Sequence, residues 1–128
     1  MSESSVNERI DHLWYARPVL FVSDLERALR FYMDQLGFTK KWHVHNVCQV
    51  DRGGCEIILY EDPARQDKSR LFVELNRDGI DELRREISER SISTQKMWWG
   101  YDTILIVDPD GNELLFPLDE TNDRERQQ

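Results

Sequence analysis

A stretch in the second half of this 128-residue chain repeats one in the first: Gly54-Cys55-Glu56-Ile57-Ile58-Leu59-Tyr60 lies over Gly111-Asn112-Glu113-Leu114-Leu115-Phe116-Pro117 at a constant offset of 57. A second echo pairs Leu20-Phe21-Val22 with Leu71-Phe72-Val73, each a short apolar run followed by a polar turn and an amphipathic helical pattern. Self-similarity at a fixed period means one structural unit used twice. A unit of about 50–60 residues is marginal alone, because it buries so small a share of its surface. The two copies must therefore pack on each other or on a second chain.

The elements of the unit can be read from its punctuation. In the first copy, Arg17 to Val22 reads as a strand. Ser23 followed by Glu26 matches a capping box, and Leu25, Ala28, Leu29, Tyr32 and Leu36 form the apolar stripe of a helix that Gly37 closes. Strands over Phe38 to Val44, Val47 to Asp51 and Cys55 to Glu61 follow, the last two joined by Arg52-Gly53-Gly54. Residues 62–69, polar and containing a proline, are the linker. The second copy repeats the order: strand Arg70 to Leu75, a helix capped by Asp78 and running from about Gly79 to Arg90, then strands near Thr94 to Trp98, Thr103 to Val107 and Glu113 to Leu118. Asp108-Pro109-Asp110-Gly111 is the last hairpin tip, because proline fixes φ near about −65° and glycine supplies φ > 0. The reading is an α+β fold of two βαβββ modules, 17–61 and 70–118, in one domain. Residues 1–16 carry Val6, Ile10, Leu13 and Trp14 on one side of a short helix, and residues 119–128 form a solvated, disordered tail.

Charge and cysteine content narrow the partners. The formal net charge is −8, of which residues 1–16 and 119–128 each contribute −2. Phosphate backbones need a basic face, and none is evident, so the expectation is no nucleic acid partner. There is no apolar run of about 18 residues, and no basic-then-apolar leader at the amino terminus, which predicts a cytoplasmic protein with no membrane partner. Cys48 and Cys55 fall in one hairpin, not directly opposite, and are expected as buried reduced thiols.

Paired βαβββ modules with V-S-D-L-E-R-A-L-R-F-Y at 22–32, L-G-F at 36–38 and D-P-D-G-N at 108–112 resemble the vicinal oxygen chelate superfamily, which includes glyoxalase I, extradiol dioxygenases and bleomycin-resistance proteins. The resemblance covers about residues 17–118 and implies that the modules form a curved mixed sheet around a cleft. In the metal-dependent members, ligands come from one position on the first and last strand of each module. Those positions fall on Arg17, Ile58, near Arg70, and on Leu115. Arginine stays protonated, and isoleucine and leucine have no donor atom, so the expectation is no metal and no cofactor. G-G-C-E-I-I-L-Y, D-E-L in the second helix and Trp99-Gly100 before D-P-D-G-N look similar to the bleomycin-resistance branch. That branch implies a homodimer that sequesters a cationic, aromatic small-molecule ligand in grooves between subunits, without chemistry.

The residues themselves nominate a site. Strand alternation puts Glu56, Ile58 and Tyr60 on one face, with Glu113 and Leu115 as repeat mates, and puts Arg17, Val19 and Phe21, like Arg70, Phe72 and Glu74, on faces of their own strands. These charges either cross-link the sheet or recognise ligand. Trp42, Trp98, Trp99 and Tyr101 are candidates for an aromatic wall, although adjacent tryptophans on a strand point to opposite faces. The candidate ligand-binding set is thus Arg17, Trp42, Glu56, Tyr60, Arg70, Phe72, Trp98, Trp99, Tyr101 and Glu113. Two rivals stand beside a metal-free binding protein. One is a metal-dependent lyase or dioxygenase of the same superfamily with displaced ligands such as His43, His45, Glu56 and Glu113. The other is a structural dimer whose cleft is filled by its own Arg–Glu pairs.

Overall fold

Each half of the chain folds as strand, helix, strand, strand, strand, as the repeat requires. The computed structural model describes residues 14–98, 100 and 102–119. The first half comprises β1 (Val19–Val22), α1 (Leu25–Leu29, continuing as a wider π-helical turn, Arg30–Gln35), β2 (Thr39–Val44), β3 (Val47–Arg52) and β4 (Cys55–Glu61). The second comprises β5 (Arg70–Phe72), α2 (Arg77–Arg90), β6 (Gln95–Trp98), β7 (Asp102–Val107) and β8 (Glu113–Pro117). The strands make two four-stranded mixed sheets, ordered β1-β4-β3-β2 and β5-β8-β7-β6. In each, the first strand lies parallel to the last and the remaining pairs are antiparallel. The α+β architecture is the one expected.

Several boundaries move for local reasons. β1 starts at Val19 because Pro18 has no N–H for the ladder, although its carbonyl still accepts from Ile58. The cap of α1 is Asp24, whose extended backbone lets Oδ1 accept from the Arg27 N–H at 3.2 Å, and Ser23 is directed elsewhere. Asn76, not Asp78, caps α2 by accepting from the Gly79 N–H at 2.9 Å, so the helix starts two residues earlier and β5 ends at Phe72. Gly37 closes the first helix at φ +70°, as its position predicts. Cys48 pairs across the ladder with Leu59 and Cys55 with Arg52, so the thiols stay apart; both are free, Cys48 buried and Cys55 half-buried. Val6, Ile10 and Leu13 of the amphipathic pattern and the tail from residue 120 lie outside the described residues, whereas Trp14, the pattern's last member, stands on irregular backbone and is 99% exposed.

One core serves both halves. Leu20, Val22, Cys48, Val50, Ile57 and Leu59 from the first sheet meet Leu25, Ala28, Tyr32 and Leu36 from α1. The same cluster takes in Leu83, Ile92, Ile106, Leu114 and Phe116 from the second half. Each fully buried side chain of this size contributes about 1.5–3 kcal/mol. Strand alternation then decides what lies on the other face: Val19, Phe21, Gln49, Asp51, Glu56, Ile58 and Tyr60 point away from this core.

Two polar ties fasten the halves. The Asp108–Asn112 turn between β7 and β8 is the larger: Asp108, 4% exposed, accepts from the Tyr32 hydroxyl at 2.8 Å, from Asn112 Nδ2 at 3.0 Å and from the backbone N–H groups of Asp110 and Asn112. Asn112, fully buried, donates to the Phe21 carbonyl and accepts from the Ser69 N–H, while Asp110 accepts from the Ser23 N–H and hydroxyl and from Arg27. The second tie is Arg52, which donates to Glu86 at 2.7 and 2.8 Å, to Glu82 at 2.8 Å and to the Leu36 carbonyl at 2.6 Å. Arg90 completes it with bonds to Glu86 and the Gln35 carbonyl.

Candidate functional site

At the repeat offset, the Asp51–Cys55 turn of the first half corresponds to the Asp108–Asn112 turn of the second, but Gly53 and Cys55 stand where the second half has Asp110 and Asn112. Neither can reach across to the other half as the carboxylate and amide do. A cavity of about 1050 Å³ occupies the corresponding place, between the β3–β4 turn and the β5–α2 connection. Leu36, Phe38, Leu71, Val73, Leu83 and Phe116 make its apolar walls; Arg17, Glu56 and Phe72 lie at it from the predicted set.

The outward face of the first sheet carries the denser polar arrangement. Gln49, which the sequence reading passed over, is 3% exposed and at its centre. Its Oε1 accepts from Arg17 Nη1 at 2.6 Å and from Trp42 Nε1 at 3.0 Å, and its Nε2 donates to Asp51 at 2.8 Å and to Glu56 at 3.4 Å. An amide is suited to this because it accepts and donates at once. Register explains the convergence: Trp42 lies opposite Gln49, Gln49 opposite Ile58, and Asp51 opposite Glu56. The available signal was a lone neutral polar residue in V-C-Q-V, in phase with Asp51. Arg17 and Glu56 approach only to 4.0 Å, so Gln49 rather than a direct ion pair joins them. Tyr60, 38% exposed, lies in register with Phe21, their rings 5.6 Å apart and tilted by 59°.

The second sheet carries a smaller group. Arg70 Nε donates to Glu113 at 2.6 Å, across the parallel β5–β8 pair where the two are in register. Phe72 is half-buried opposite Leu115. Trp98, at the end of edge strand β6, is 72% exposed. Trp99 and Tyr101 fall outside the described residues. Trp42, Glu56 and Tyr60 thus share one sheet, with Arg17 just ahead of β1 bonded to its Gln49, and Arg70, Phe72 and Glu113 share the other.

The residues at or near the positions where the resemblance would put metal ligands do not offer a metal the donors it needs. Arg17 is engaged with Gln49, Arg70 with Glu113, and Ile58 and Leu115 offer no donor atom. Among the described residues no group of three or more His, Cys, Asp or Glu side chains is placed to hold one. His43 Nε2 bonds to the His45 carbonyl at 2.8 Å, and His45 sits in the β2–β3 turn at φ +52° rather than beside His43 on the strand. Burial pushes the Cys48 and Cys55 thiols up, away from thiolate.

The sequence profile of the Glyoxalase/Bleomycin resistance protein/Dioxygenase superfamily matches residues 9–116. This chain belongs to that superfamily. Within it, the bleomycin resistance proteins of Geobacillus stearothermophilus and Staphylococcus aureus are 27% identical to this chain, over 77% of it and 92% of their own length. The bleomycin-binding protein of Streptomyces verticillus, solved with copper(II)-bleomycin, superposes with a TM-score of 0.67 at 23% identity, covering 84% of this chain and 98% of that one. A lactoylglutathione lyase from Agrobacterium tumefaciens superposes with a TM-score of 0.64 at 16% identity, covering 81% and 92%. Binding proteins and a lyase of the superfamily thus share the fold. No helix among the described residues is long and apolar enough to cross a membrane.

Proposed function

We propose that this member of the superfamily is a metal-free cytoplasmic binding protein of the bleomycin-resistance type, which takes an aromatic or cationic small molecule in a groove between two copies of the chain. One observation carries the reading: an outward sheet face presents Trp42, Tyr60 and Phe21 beside Asp51 and Glu56, with Gln49 fixing the polar groups, while the inherited ligand positions hold Arg17, Ile58, Arg70 and Leu115. Aromatic faces attract a cation, and Asp51 and Glu56 put carboxylates beside them, with Lys41 and Arg17 at 3.9 and 4.0 Å as the charges a ligand would compete with. Trp42 and Tyr60 on this face keep 37% and 38% of their surface exposed in a single chain, which leaves them for a second copy to cover in completing the groove. Bleomycin resistance proteins among its relatives support the class of ligand.

Calorimetric titration with a bleomycin and with simpler planar cations tests the reading. Trp42→Ala is expected to weaken binding by about 1–2 kcal/mol, roughly 5- to 30-fold in Kd. Unchanged affinity in the variant would move the ligand away from this face, towards the cavity at the module junction. Sedimentation at micromolar concentration should give about twice the 15.3 kDa chain mass. Elemental analysis of protein purified without chelator should find well under one equivalent of Zn, Ni, Mn or Fe per chain; one tightly held equivalent would favour a lyase or dioxygenase instead.

A further inference from the structure

Phe21, paired with Tyr60 at the end of the outward face, is covered by the chain's own linker, while Tyr60 stays 38% exposed. Asp62 begins the linker by donating its N–H to the Val22 carbonyl at 2.9 Å, then builds a tight turn in which its side chain accepts from the Ala64 N–H and its carbonyl from the Arg65 N–H. That turn sends Arg65 back over β1. The Arg65 guanidinium carbon lies 3.9 Å from the centroid of the Phe21 ring, at stacking distance. Asp67 pairs with one guanidinium nitrogen. The Arg65 side chain is 45% exposed and that of Asp67 70%, so the ion pair is screened and holds weakly.

A planar cation on the outward face of an aromatic ring is the arrangement the proposed ligand would itself adopt. We infer that Phe21 and Tyr60 form a cation subsite that Arg65 occupies in the free protein and that a ligand's planar cationic group takes over on binding. This rests on the binding reading above and deepens it: the subsite selects an amidinium-, guanidinium- or aminoaromatic-like group, and Arg65 sets a threshold that weak or neutral aromatic ligands do not pass. Leaving is undemanding for Arg65, because it is already half in water and its departure strands no buried charge. The stack also pins the linker between the halves, so an occupied subsite releases residues around Arg65.

The test is calorimetric titration of the full-length protein with proflavine, a planar cation, for the wild type, Arg65→Ala, Phe21→Leu and the double variant. Removing a competing contact of this kind should tighten Arg65→Ala binding about 2- to 5-fold over wild type. Phe21→Leu should bind more weakly, and Arg65→Ala should give no gain in that background. In the free wild type, the Arg65 side-chain N–H resonance should be shifted upfield by the Phe21 ring and should move to its solvent position as proflavine is added. Arg65→Ala binding no tighter than wild type, or an equal gain with and without Phe21, overturns the subsite while leaving the binding reading intact. Failure of every variant, wild type included, to bind proflavine or a bleomycin overturns both.

Discussion

Asp108→Ala is expected to lower the unfolding free energy by about 3–5 kcal/mol, because it removes one buried carboxylate that accepts from four donors, of which only Asn112 Nδ2 keeps another acceptor, the Phe21 carbonyl. Those donors are the Tyr32 hydroxyl, Asn112 Nδ2 and the N–H groups of Asp110 and Asn112. For a chain of this length the loss corresponds to roughly 10–20 °C in Tm, which differential scanning calorimetry reads directly. Tyr32→Phe should cost much less, about 1–2 kcal/mol, since Asp108 keeps its other three donors. The phenol is held in its neutral form: burial first, then the Asp108 charge and hydrogen bond, push its pKa far above the usual value. A Tyr32→Phe cost equal to that of Asp108→Ala would mean that the turn is held through the tyrosine alone. Equal Tm values for Asp108→Ala and wild type would show that the turn does not join the halves.

The Arg52–Glu86 tie should show itself as a pH dependence. Glu86 is 5% exposed, and hydrogen bonds from Arg52, opposed by burial and assisted by the Arg52, Arg90 and Arg85 charges, hold its carboxyl below the usual 4.5. A carboxylate with a lowered folded-state pKa contributes stability that is fully present above its unfolded value and is lost as pH falls through the folded one. At pH 7, Glu86→Gln should therefore be about 2–4 kcal/mol less stable than wild type. The figure is below that for a pair stripped bare, because Arg52 keeps Glu82 and the Leu36 carbonyl. Urea unfolding between pH 7 and pH 3 should find this gap constant down to about 4.5 and shrinking below it. A gap that stays constant to pH 3 would assign the loss to packing rather than charge.

Some features of the site were legible in the sequence and others were not. Strand parity foresaw that Glu56, Ile58 and Tyr60 share a face, and register places them so, because the side-chain period in a strand is fixed by the backbone. The apolar stripe of α1 is found as read, with Leu25, Ala28, Tyr32 and Leu36 in the core. The capping residues were each misplaced by one or two positions, since Ser23 and Asp24, like Asn76 and Asp78, are interchangeable by chemistry, and only backbone direction selects between them. Gln49 was missed because a single polar residue in a strand announces nothing until Arg17, Trp42 and Glu56 are brought around it. The sequence shows Asp108 and Asn112 as part of a hairpin tip and of a family motif, not as a tie between the halves. Their partners, Tyr32 and Phe21, lie 76 and 91 residues away, and no local pattern encodes that contact.

What the sequence determined by itself was the repeated unit, the order of its elements and the residues that cannot grasp a metal. These follow from periodicity, turn chemistry and the identity of single side chains, all of which are local. Only the tertiary structure decided that the two halves share one core, that the charged and aromatic residues face away from it on separate sheets, and that one turn is tied across by Asp108, Asp110 and Asn112 while its repeat mate, bordering a cavity, is tied across, among the described residues, by Arg52 alone. The reason is that a βαβββ unit fixes which face of its sheet is apolar but not what that face meets. The meeting is settled by a few long-range contacts: Asp108 with Tyr32, Asp110 with Ser23, and Arg52 with Glu86.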